Sequence, residues 1–185
     1  MQKKQRELDR AIYRQKSESV DWEWYSLTNA KRLKLNILVE IGEFANELKT
    51  FKLWRNKKEI DLAKEELVDC LCFFLGLWDI YQIDFVDYKL NGFFRKELDF
   101  NDLLLDFFFQ TENLIILEDE AFYKPKEKLR LTKKEKETYY RWLLTFNKIV
   151  QKLSMDEEEL LTVYLQKNDL NHQRVKQMML ENNKS

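Results

Sequence analysis

The chain has 185 residues, is 44% hydrophobic and 35% charged, and carries a net charge of -1. It is long enough for one domain with a sizeable core, and the balanced charge argues against a strongly basic nucleic-acid binder while leaving room for a small anion held by local cations. Three glycines and one proline in this length disfavour an all-β chain and favour long helices with short links.

In chain order, the pattern predicts an all-α bundle of six to seven helices in a single domain spanning 1–185. The N-terminus, Met1 to Arg6, is charged and has no apolar run behind it, so it is not a secretory signal. A first helix covers about residues 2–16. A second runs from about Ser26 to Lys52, with Ile37, Ile41, Phe44, Ala45 and Leu48 on its apolar face. A third extends from near Lys58 to Tyr81. Its run Cys70 to Trp78 is apolar all round, which predicts the most buried segment. That run is far shorter than the roughly 20 residues that cross a bilayer, so no membrane association is expected.

A fourth helix is expected over Asn101 to Phe122, capped by Asn101 or Asp102. Tyr123 to Leu131, with Pro125 and several lysines, reads as a loop. Thr132 with Glu135 gives a capping-box pattern for the next helix, and Ser154 with Glu157 gives another. The tail from Glu181 to Ser185 is expected to fray. Cys70 and Cys72 read as reduced core cysteines of a cytoplasmic protein. The aromatics Phe107, Phe108, Phe109, Tyr139, Tyr140, Trp142 and Phe146 fit core or a subunit interface.

Two acid pairs carry the chemistry: Glu40-x-x-Glu43 and Glu66-x-x-Asp69. Residues three apart share a helix face. Glu40, Glu43 and Glu47 fall within an arc of roughly 60°. Leu62, Glu66, Asp69, Phe73 and Leu77 form one stripe in which two carboxylates interrupt apolar residues. Buried carboxylates need a partner or a metal. A helical hairpin would bring the pairs face to face as an oxygen cage of the kind Mg²⁺ accepts. A solvated acidic edge is the plainer alternative for either pair alone. Gly42, Gly76 and Gly92 are isolated, so no glycine-rich phosphate cradle is available, and the single His172 excludes a Ser-His-Asp set. Phosphates would then need metal plus cations, for which Lys52, Lys167 and Arg174 are candidates.

Val39 to Trp54 (VEIGEFANELKTFKLW), Glu65 to Leu77 (EELVDCLCFFLGL) and Lys167 to Arg174 (KNDLNHQR), with Gln5-Arg-Glu-Leu8-Asp9-x-x-Ile12 before them, resemble the dimeric all-α dUTP pyrophosphatases, which group with the MazG-like nucleotide pyrophosphatases. The resemblance implies Mg²⁺-dependent hydrolysis of dUTP, and of dUDP, to dUMP, limiting uracil in DNA. It implies Glu40, Glu43, Glu66 and Asp69 as metal ligands, with Glu40, beside Glu43, acting on the attacking water. Lys167, Asn171 and Arg174 would contact the phosphates. Gln5 and an aromatic of Phe51–Trp54, with Trp54 preferred, would hold the base. It also implies a homodimer that shares its pockets. Two departures stand out. Cys72 occupies a position where the family usually has His, and Arg174 is followed by Val175-Lys-Gln-Met178-Met179 instead of a Gln and a Gly-Tyr pair. Both bear on substrate preference more than on the acids. A pyrophosphatase for another nucleotide such as dCTP, or a non-catalytic helical binding protein, are the competing readings.

Overall fold

The computed structural model describes residues 1, 3–8, 27–52, 59–83, 98–116 and 131–182, and all their regular structure is helical. We number the helices α1 (residues 3–8), α2 (Leu27–Leu48), α3 (Ile60–Ile80), α4 (Phe100–Glu112), α5 (Lys133–Lys152) and α6 (Glu157–Asn182). Among the described residues, no helix is long and apolar enough to cross a membrane.

The core follows from apolar periodicity. Ile37, Ile41, Phe44 and Leu48 of α2 are fully buried, with Ala45 partly so. They meet α3, which is buried from Cys70 to Ile80 except for the half-buried Phe73. The two helices form an antiparallel hairpin whose connected end is tied by the Glu59 amide donating to the Glu47 carbonyl at 3.1 Å. On the far side of α3, Trp142 of α5 stacks on Phe74 (3.9 Å between centroids, 5° between planes) and on Phe146 (5.5 Å, 11°). The Trp142 indole donates to Thr111 Oγ1 at 2.9 Å, so its one polar atom is satisfied inside the core. Helix α4 runs antiparallel to α5, Thr145 donating to Asp106 at 2.7 Å. It also runs antiparallel to α2, where Thr50 meets Asn101 and Lys34 donates to the Glu112 and Leu114 carbonyls. Helix α1 is anchored by the buried Leu8 and by an ion pair between Arg6 and the buried Asp79 of α3.

Several element boundaries differ from the sequence expectation. Helix α2 ends at Leu48 instead of Lys52, because Lys49 turns into the left-handed region (φ 55°). Helix α4 is capped by Asp99, whose carboxylate accepts from the Asp102 amide at 2.8 Å, so neither Asn101 nor Asp102 is the cap. It stops at Glu112, not Phe122, with the Asn113 amide group bonding back to Phe109. Thr132 and Glu135 form the expected capping box. The second proposed cap is displaced: Ser154 is left-handed (φ 55°), and Asp156 accepts from the Glu159 amide at 2.8 Å. The sequence pattern was deceptive there because Ser154 closes α5 and does not open α6. Residues 9–16, most of the 123–131 loop and residues 183–185 lie outside the described residues.

Of the aromatics expected to be buried, Phe107, Tyr139, Tyr140, Trp142 and Phe146 are core, Phe108 is half-buried, and Phe109 is 63% exposed.

Candidate metal and phosphate site

The antiparallel pairing of α2 with α3 places the acids opposite one another. Glu40 and Glu43, one turn apart on α2, meet Glu66 of α3, and one carboxylate oxygen from each lies within 4.8 Å of the others. Leu62, at the start of the α3 stripe, is 47% exposed, whereas Leu77 at its end is fully buried. The carboxylates therefore stand where the stripe passes from solvent into the core. Glu40 and Glu66 are half-buried and Glu43 is exposed.

The electrostatics of Glu40 reflect this crowding. Burial, followed by the charges of Asp69, Glu43 and Glu66, pushes its carboxyl up to about 7, and Lys167 only partly opposes the rise. Glu66 is also raised, by burial first and by Asp69, Glu43 and Glu65 against the lowering effect of Lys167. Glu40 and Glu66, whose charge burial and neighbouring carboxylates both resist, would be relieved by a cation.

Asp69 is not a member of that trio. Its Oδ2 accepts from Lys167 Nζ of α6 at 2.7 Å, and Lys167 lies 3.5 Å from Glu65. Burial raises the Asp69 carboxyl, and the hydrogen bond and charge of Lys167, with the charge of Arg174, pull against that rise. Burial lowers Lys167, but its hydrogen bond to Asp69 and the charges of Asp69, Glu66 and Glu65 outweigh it, so its ammonium is held more firmly than usual. Asp69 still acts on Glu40 electrostatically, so the ion pair borders the trio.

The other expected site residues are distributed around this centre. Arg174 is exposed on α6 and donates to Asn171 Oδ1 at 3.3 Å, one and two turns beyond Lys167. Gln5 is buried against α6: the Tyr164 hydroxyl donates to the Met1 carbonyl at 2.9 Å and lies 3.4 Å from Gln5 Oε1. Tyr164 precedes Lys167 by three residues, so Gln5 packs on α6 one turn before the lysine's position in that helix. Lys52 is not brought to the acids. Its ammonium bonds Asn46 Oδ1 at 3.1 Å and stands 5.2 Å from the Phe51 ring centroid, and Phe51 is 52% exposed. Trp54 lies outside the described residues. Cys70 and Cys72 are buried thiols outside any disulfide, and burial, ahead of Glu40 and Asp69, raises the Cys70 thiol well above its ordinary value.

Two residues escaped the sequence reading. Glu65, one position before a proposed ligand, faces Lys167. Asn168 is 2% exposed, and its amide nitrogen has no hydrogen-bond partner among the described residues. Its spacing four residues after the buried Tyr164 is the signal that places it on the inward face.

The donor set suits a hard divalent cation. All donors are carboxylate oxygens; around an octahedral Mg²⁺ ion neighbouring oxygens lie about 3 Å apart and opposite ones about 4 Å, so the trio needs to close by up to about 2 Å. No curated protein and no solved structure matches the chain. A family model described as dUTPase matches residues 1–178.

Proposed function

Because this chain belongs to the dUTPase family, hydrolases that act on dUTP, we propose that it converts dUTP to dUMP and pyrophosphate, and dUDP to dUMP and phosphate, in a Mg²⁺-dependent reaction that limits uracil in DNA. The observation that carries the metal dependence is the convergence of Glu40, Glu43 and Glu66 within 4.8 Å. Glu40, Glu43 and Glu66 would hold the ion, with Asp69 at their border. Bound there, Mg²⁺ supplies positive charge to the phosphate oxygens as a Lewis acid.

The chain's own residues do the rest. Glu40, beside Glu43, orients the attacking water and accepts its proton. Lys167 and Arg174 neutralise the phosphate tail, and Asn171, which already binds the Arg174 guanidinium, keeps it aligned. Gln5 and an aromatic of the Phe51–Trp54 segment, Trp54 above all, hold the uracil by amide hydrogen bonds and stacking. Lys52, drawn to Asn46, serves at most the outer edge of the pocket.

We further propose a single domain acting as a homodimer in the cytoplasm. Exposed Leu35 and Val39 of α2 and exposed Leu105 and Phe109 of α4 support the dimer. Each pair is spaced by one helical turn, on two helices that pack against each other. Two buried cysteines outside any disulfide fit a reducing compartment. The functional test is product release across a nucleotide panel with and without Mg²⁺. Hydrolysis of dUTP with little of dCTP is expected. Turnover of dCTP but not dUTP would transfer the activity to another base, and Cys72 would be the first residue to examine.

A further inference from the structure

We propose that Lys167 is an internal cation that latches Asp69 away from the metal-binding acids, so that the fourth carboxylate joins the site only when a nucleotide's phosphates draw Lys167 away. This rests on reading Glu40, Glu43 and Glu66 as a divalent-metal site.

The arrangement is asymmetric. Three carboxylates converge with no ion pair to any of them among the described residues. The fourth, equally close in sequence register, is bonded at 2.7 Å to a lysine from a different helix. Lys167 is anchored on both sides, by Asp69 and, at 3.5 Å, by Glu65. Its ammonium is a compact unit charge standing against a carboxylate that could otherwise turn to a metal. A divalent ion competing for Asp69 must break a half-buried, hydrogen-bonded ion pair and approach a fixed positive charge. Triphosphate oxygens remove both obstacles, because they offer Lys167 stronger acceptors than one carboxylate and carry several negative charges. Glu65 then keeps the lysine at the site while Asp69 leaves it. The trio can thus accept an ion in the free protein, but the complete ligand set assembles only around substrate.

The test is Mn²⁺ binding to the full chain without nucleotide, counted by electron paramagnetic resonance, in the parent, K167M, D69N and the K167M/D69N double variant. The latch predicts that K167M lowers the Mn²⁺ Kd by roughly tenfold where Asp69 is present and changes it less than about twofold in the D69N background. K167R, which keeps the charge, should bind as the parent does. K167Q, which still offers Asp69 a hydrogen-bond donor, is measured in parallel in case K167M folds poorly, and melting of each variant with and without Mn²⁺ gives a second readout. An equal gain from K167M in both backgrounds would mean that general charge, and not release of Asp69, is responsible, and would overturn the latch. Unchanged affinity in both K167M and K167Q would overturn it as well. Saturable Mn²⁺ binding lost in E66Q keeps the metal-site reading intact in either case, whereas no saturable binding by the parent would overturn both.

Discussion

Glu40 is a carboxylate whose charge the fold resists, and the resistance has a sign that can be measured. Its folded pKa, about 7, is raised above the ordinary 4.5. The folded chain therefore holds this proton more tightly than the unfolded chain. The resulting stability is fully present below about pH 4.5 and is lost as pH rises through about 7. Melting of the metal-free protein should thus fall as pH goes from about 5 to about 8, and saturating Mg²⁺ should flatten that slope by stabilising the ionised form. Glu40→Gln should abolish hydrolysis yet raise the metal-free melting temperature at about pH 8, because it removes the repelled charge while keeping the shape. A fall in melting temperature would show that Glu40 is stabilised by contacts other than those described. Asp69→Asn is a different case. Read from sequence, Asp69 is an unpaired buried charge whose removal helps the fold. Its bond to Lys167 cancels that gain, so D69N should lose activity with little change in stability.

At the scale of the element, the helix ends show what a glycine-poor sequence does instead. Gln82 (φ 45°) and Ser154 (φ 55°) take the left-handed position after α3 and α5. In both cases the next residue's amide reaches back five residues, Ile83 to the Trp78 carbonyl and Met155 to the Val150 carbonyl. These are Schellman closures with buried apolar residues after the turn. Left-handed backbone costs a side-chain-bearing residue roughly 1–2 kcal/mol, so Ser154→Gly should stabilise by about 0.5–1 kcal/mol once glycine's extra unfolded-state entropy is counted. Thr132→Ala, which breaks the capping box at α5, should cost about 1 kcal/mol. Chemical denaturation measures both. The helices themselves were legible because periodicity of 3.6 over twenty residues is a strong signal: the inward face of α2 follows Ile37, Ile41, Phe44 and Leu48 as read. The end of α3 was legible to within a residue and Thr132 marked the start of α5, but the ends of α2 and α5 have no glycine at Lys49 and Ser154 to mark them, and Asp99 and Asp156 compete with equally polar neighbours for the cap.

At the scale of the whole molecule, one aromatic column joins the hairpin of α2 and α3 to the rest. Phe74 lies on the same helix as Glu66, two turns further on, and stacks on Trp142. Trp142→Ala should therefore cost about 3–5 kcal/mol and loosen the register of α3 that brings Glu66 to Glu40. The pairing of acids across α2 and α3 could be read from sequence because a hairpin needs only a short link. The pairing of Asp69 with Lys167 could not, since the two are far apart in the chain and only the packing of α6 on α3 joins them. Phe109, which the sequence leaves as core or subunit interface, is turned to solvent by the fold. If that face is the proposed homodimer contact, Phe109→Asp should convert a dimer to a monomer in light scattering. A parent that is monomeric at every concentration would place the contact, and the shared pocket, out of consideration.

The most direct test of the metal-centred account is dUTP turnover by the parent and by Glu66→Gln, each with Mg²⁺ and after complete chelation. The account predicts dUMP and pyrophosphate from the parent with Mg²⁺ alone, and a loss of at least about a hundredfold on chelation or in the variant. Turnover that survives both would contradict it.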